Sequence, residues 1–187
     1  LEQDTWVVFT SDNGPWLKFG KLGGSAGNLR DGKSSTWEGG FRVPALFWAP
    51  GTIPPRVVQD VGSTLDLMAT FSALTEAPLP DTTLDSFNLL PALTGNKAGP
   101  RRNMYFYLGD QLSAIRSGPF KVHFSIPDSK NRKAVPLADP LLYDLINDPS
   151  EQHDLSASKP EVIRAITRLR DAHLASRVEV ENQLNRR

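Results

Sequence analysis

Between Thr5 and Thr10 the chain reads Thr-Trp-Val-Val-Phe-Thr, an unbroken run of apolar and β-branched residues that stops at Ser11-Asp12-Asn13-Gly14-Pro15. A run of this kind, without polar alternation, suits a strand buried on both faces of a sheet. Open α/β sheets place ligands beyond the carboxyl ends of their strands, so the exit loop is where chemistry is expected. Asp12 offers a carboxylate and Asn13 an amide carbonyl, hard oxygen ligands suited to calcium and, less well, to magnesium. Gly14 permits the sharp turn that aims both. The same tetrad is also ordinary turn chemistry, so alone it assigns no metal.

The stretch from Trp16 to Gly40 is rich in Gly, Ser, Lys and Asn and lacks periodicity, which reads as a long ordered loop. Within it Lys33 follows a glycine that lets the backbone come close, and its ammonium is a point charge fit to hold a sulfate or phosphate oxygen. The competing reading of Lys33 is a solvated loop lysine. Glu38 and Arg42 flank Gly39-Gly40 and are expected to pair, or to bond backbone, and so pin the loop. Trp16 is a candidate wall of a substrate site or a packing aromatic. Ser35 and Thr36 are candidates for hydrogen bonds near an anion.

Pro44 to Pro50 reads as a second short buried strand. Ser63 is positioned to cap a helix over 65–74, with Asp66 in its first turn and Leu67, Phe71 and Leu74 on the face that covers the sheet. After a linker-like Thr94-Gly-Asn-Lys-Ala-Gly-Pro100, strands are predicted at 103–108, 113–116, 120–126 and 141–145, spaced as an antiparallel meander. Ser158 and Glu161 suggest a capping box, with Pro160 in the first turn, for a terminal helix whose apolar stripe is Val162, Ile166, Leu169 and Ala172. The polar tail from Ser176 is expected to fray. The fold class that follows is α/β: residues 1–95 form the C-terminal part of a large mixed-sheet domain. Residues 96–187 form a small antiparallel sheet with a packing helix.

Charge and composition exclude several functions. Lys plus Arg and Asp plus Glu each total 21, so no net field argues for nucleic acid. No apolar run reaches the roughly 20 residues of a membrane span, and the chain opens without the basic and apolar regions of a signal peptide. A chain of 187 residues that is 39% hydrophobic can bury a core. Without a single Cys, a thiolate metal site and a Cys nucleophile are both excluded within these residues.

Taken in order, the strand ending in Ser-Asp-Asn-Gly-Pro and the string Gly32-Lys-Ser-Ser-Thr-Trp-Glu-Gly-Gly-Phe-Arg-Val-Pro-Ala45 resemble the second half of the sulfatases of the alkaline-phosphatase superfamily. Ser63-Thr-Leu-Asp-Leu-Met68, Ala77-Pro-Leu-Pro80 and Leu84-Asp-Ser-Phe-Asn-Leu89 strengthen the likeness. So does Leu142-Tyr-Asp-Leu-Ile-Asn-Asp-Pro-Ser-Glu-Gln-His-Asp-Leu155, in which Asp154 stands where the family usually has Asn. The resemblance runs nearly end to end. It is greatest to the arylsulfatase A and N-acetylgalactosamine-6-sulfatase branches.

The resemblance implies that Asp12 and Asn13 are two of the calcium ligands and that Lys33 contacts the sulfate of an aryl or carbohydrate sulfate ester. It also implies a nucleophile, formylglycine, made from a C/S-x-P-x-R motif. This chain has no such motif. The nucleophile, the first calcium aspartates and the catalytic histidines are therefore expected on a missing N-terminal half, leaving this fragment inactive alone and prone to fold poorly. A periplasmic, secreted or lysosomal setting is implied likewise. A related phosphomonoester or phosphonate hydrolase and a non-catalytic sulfatase-like fragment are the alternatives. His123, on a strand of the small sheet, is a candidate substrate contact or a packed histidine, whereas His153 and His173 read as structural or solvent-facing.

Overall fold

In the computed structural model, which describes residues 2–178, the described residues form two antiparallel sheets, four α-helices and two 3-10 segments, Glu2–Asp4 and Leu17–Gly23. β1 (Val7–Thr10) pairs with β2 (Ala45–Trp48) in a two-stranded ribbon. β3 (Asn103–Leu108), β4 (Gln111–Ser117), β5 (Phe120–Pro127) and β6 (Ala134–Asp144) follow one another across the second sheet. The helices are α1 (Glu38–Phe41), α2 (Asp66–Thr75), α3 (Leu90–Thr94) and α4 (Pro160–Ser176). The mixed α/β character and the small meander with its terminal helix match the expectation. From residue 179 on, the polar tail lies outside the described residues.

The ribbon corrects one expectation. β1 is not buried on both faces: Phe9 is 66% exposed and its partner Leu46 54%, and the neighbouring pair Val7 and Trp48 is open on the same side. The run lacks alternation as a doubly covered strand does, but among the described residues β1 has β2 alone as a strand neighbour and that face is left exposed.

The meander carries the main core. On β5 the period of two sends Val122 and Phe124 to one face, where they pack with Leu112, Ile115, Leu142 and, from α4, Ile166. Val162 and Ile163 of α4 lie against the same cluster. Each such side chain contributes roughly 1.5–3 kcal/mol when removed from water. The other face of β5 presents Lys121, His123 and Ser125, all fully buried. That face receives the loop that carries Lys33.

Two helix readings need correcting at their ends and faces. α2 does begin at a reciprocal corner, with Leu65 N–H donating to Ser63 Oγ (3.2 Å) and Ser63 N–H donating to Asp66 Oδ2 (2.9 Å). Its buried face, however, is Asp66, Ala69 and Thr70, while Leu67, Phe71 and Leu74 stay partly or largely exposed. The cause is Arg101, whose guanidinium clasps both oxygens of the Asp66 carboxylate and also donates to Asp85 C=O, so the polar side turns inward. α2 packs against α3 and the segment around Phe87 and Leu89. At α4 no capping box forms. Lys159 occupies the cap position, and Ser158 Oγ donates back to Leu155 C=O (3.0 Å) because Pro160 already opens the helix. Of the predicted stripe Ala172 is exposed; the contact face moves toward Ile163, and His173 stacks on Tyr105 at 3.9 Å.

Candidate active site

Four stretches of backbone meet where β1 ends. Gly14 N–H donates to Gly40 C=O (2.9 Å), Lys33 N–H to Pro15 C=O (2.9 Å) and Gly39 N–H to Arg30 C=O (2.8 Å). The approach is so close that a Cβ on Gly14 would lie 1.7 Å from the Gly39 carbonyl oxygen. Glycine is therefore required at this position by space rather than by a left-handed φ. This junction places the Asp12-Asn13 corner beside the Lys33 turn.

Asp12, Asn13, Trp16, Lys33 and Arg42 line one open cleft of about 730 Å³. Ser11 Oγ donates to Asn13 C=O (2.9 Å) and shapes the corner. Among the described residues, no hydrogen bond or ion pair engages the Asp12 or Asn13 side chain. Two uncommitted hard oxygen donors at the mouth of a cleft fit a calcium ion, which accepts carboxylate and amide oxygens and shares its shell with other ligands. No cluster of three or more His, Cys, Asp or Glu able to hold a metal occurs among the described residues. These two could thus form only part of a shell. The Lys33 ammonium lies 5.2 Å from the centroid of the exposed Trp16 ring, which makes Trp16 a wall of the cleft.

Ser35 and Thr36 do not join them. Both are buried inside the loop, where Ser35 Oγ donates to Gly32 C=O (2.9 Å) and Thr36 Oγ1 has no partner among the described residues. His123 also lies apart from the cleft. It is fully buried, with its ring 4.1 Å from that of Trp37 and its Nε2 2.7 Å from Glu151 Oε1. Burial, the largest influence, pushes the His123 imidazole down to about 4 despite the neighbouring carboxylate. Its Nδ1 has no partner among the described residues, so a second proton there would be a buried unpaired donor. His153 is solvent-facing and His173 packs on α4's contact face, as expected.

What the sequence did not reveal is the buried charge cluster beneath the loop. Lys121 Nζ sits 2.9 Å from Glu38 Oε1 and 3.1 Å from Glu151 Oε1. Glu151 Oε2 accepts the Glu38 backbone N–H at 2.6 Å. Burial raises the Glu151 carboxyl, but the His123 N–H and the Lys121 ammonium outweigh it and hold the group below the usual carboxylate range. Above Trp37 the Arg30 guanidinium stacks at 3.6 Å and donates to Glu151 C=O (2.8 Å). The expected pairing of Glu38 with Arg42 exists only as a long 3.9 Å contact and a backbone bond; Lys121 is the partner that decides the position of Glu38. One signal was available: on a strand, Lys121 and His123 share a face, so burying one implies burying both.

Residues 1–77 match the sulfatase family, and residues 99–187 match the C-terminal region of aryl-sulfatase. The chain belongs to the sulfatase family. It is 40% identical to human arylsulfatase A over 192 residues, covering 90% of this chain and 38% of that protein. It is 34% identical to dog N-acetylgalactosamine-6-sulfatase over 212 residues, covering 99% of this chain and 40% of that protein. A solved Bacteroides thetaiotaomicron protein, from a core genetic locus for metabolism of multiple glycosaminoglycans, superposes with a TM-score of 0.75. It is 31% identical, over 91% of this chain and 39% of its own. This sulfatase chain thus spans about two fifths of the length of those relatives. No helix of its described residues is long and apolar enough to cross a membrane.

Proposed function

We propose that this chain supplies part of the active site of a calcium- and formylglycine-dependent sulfuric ester hydrolase acting on an aryl or carbohydrate sulfate. The reading is supported above all by the convergence of Asp12, Asn13 and Lys33 on one cleft in a chain of the sulfatase family. Asp12 and Asn13 hold the cation, and Lys33 holds a sulfate oxygen and offsets the charge that grows there during cleavage. When bound, calcium orients the attacking group and draws charge from the sulfate, while formylglycine on an N-terminal part of the same enzyme supplies the nucleophile. The family likeness supports a periplasmic, secreted or lysosomal setting.

The decisive experiment uses the complete protein. Lys33→Ala is expected to lower kcat/KM for an aryl sulfate by roughly 100- to 1,000-fold with unchanged melting, as for other preorganised oxyanion contacts. A calcium chelator abolishes turnover, and added calcium restores it. This chain by itself shows no turnover and binds calcium no more tightly than about millimolar, since it brings two ligands. Full turnover by Lys33→Ala overturns the reading, and faster cleavage of an aryl phosphate than of the sulfate moves the site to phosphate esters.

A further inference from the structure

The Lys33 turn has a second clamp that comes from the far sheet. Asp31 and Ser34, on either side of Gly32-Lys33, both adopt left-handed backbone conformations, with φ of 62° and 67°. Neither is a glycine, and such a conformation is unfavourable for residues with a Cβ unless the surroundings enforce it. The enforcing group is Arg132, in the connection between β5 and β6. Its Nη2 donates to Asp31 Oδ2 at 2.8 Å, and its Nε donates to Ser34 C=O at 3.2 Å. One planar guanidinium thus spans both ends of the turn, while Asp31 Oδ1 accepts the Gly32 N–H at 2.8 Å. From the opposite side, Lys33 N–H is tied to Pro15 next to the Asp12-Asn13 corner. Arg132 itself takes a φ of 62°, so its own loop is shaped to deliver the contact.

We propose that Arg132 is a positioning residue for Lys33: it touches neither cation nor sulfate, but fixes the turn that aims the Lys33 ammonium into the cleft. This rests on the sulfate role given to Lys33 above. A fixed ammonium stabilises developing charge without reorganising, whereas a turn free to relax points it only part of the time.

A double-mutant cycle in the complete protein tests this with an aryl sulfate as probe. Arg132→Ala is expected to lower kcat/KM by roughly 10- to 100-fold. Arg132→Lys recovers only part of the loss, because an ammonium cannot span two acceptors in the fixed geometry of the fork. The combined Lys33→Ala, Arg132→Ala variant is expected to be no slower than Lys33→Ala, since Arg132 acts through Lys33. Asp31→Asn, which weakens the clamp from its other end, shows the same non-additive loss while leaving melting unchanged, and so guards against misfolding of Arg132→Ala. If Lys33→Ala is slow but Arg132→Ala or Asp31→Asn is fully active, or if their losses add to that of Lys33→Ala, the positioning role is overturned and the sulfate role stands. If Lys33→Ala is itself fully active, both fall.

Discussion

Lys121 and Glu38, 83 positions apart in the chain, form an ion pair of 2.9 Å with both side chains essentially removed from solvent. The pair joins the second strand face of the meander to the first turn of α1, five residues beyond Lys33. Glu151 closes the arrangement from a third segment.

Removing one member of such a cluster leaves buried charge without compensation. Lys121→Met is therefore expected to destabilise the protein by about 3–5 kcal/mol, read from denaturant or thermal unfolding. Glu38→Gln in the Lys121→Met background should recover part of that loss, because one of the two stranded carboxylates is then neutral. A Lys121→Met protein as stable as the parent would show that the cluster is not a buried ionic lock.

Gly14 tests the junction itself. Its Cβ would overlap the Gly39 carbonyl oxygen, so Gly14→Ala must push the Asp12-Asn13 corner and the Lys33 loop apart. An overpacking cost of typically 1–3 kcal/mol is expected, together with a loss of both cation affinity and sulfate turnover in the complete protein. Retention of both, measured by calorimetry and by initial rates, would contradict the geometry described.

The stability of the protein should fall with acid in a window set by His123. Its pKa is 6.5 when unfolded and about 4 when folded, so the unfolded chain takes up a proton that the native state resists. Stability from this group is complete above about pH 6.5 and is lost as pH falls toward 4, by an amount on the order of 3 kcal/mol. Glu151, Lys121 and Arg30 are the charged groups that face the ring. Glu151, held below its ordinary value, loses its own contribution in the same direction at still lower pH. Melting curves between pH 8 and 4 should show the decline, and His123→Gln should flatten it above pH 4.5. A melting temperature independent of pH across that interval would refute the assignment.

The meander and the terminal helix were legible because their signals are local: apolar residues two apart, turn residues between strands, and a 3.6-residue stripe. The turn at Asp12-Asn13 after β1 was legible for the same reason, since strand and turn residues are contiguous; its meeting with Lys33 in one cleft is a finding of the structure. Burial of β1 was misjudged, because a run such as Trp-Val-Val-Phe reports what a strand tolerates, not which neighbours it has. The Glu38, Lys121 and Glu151 cluster stayed hidden for a different cause. Charged residues in a loop, on a strand and in a turn each read as solvated until three distant segments bring them together. Arg132 was hidden likewise, and the left-handed φ values that it supports carry no Gly or Asn to announce them.

The partners of Glu38 lie 83 and 113 positions downstream, which dictates the order in which the protein can mature. During synthesis the Lys33 loop emerges long before the residues that seat it, and contacts of such long sequence separation are closed late. A chain cut short before Glu151 would keep every residue of the cleft and yet lack the means to hold it in shape. The cleft thereby takes its final shape only once the turn that carries Glu151 has docked beneath the loop.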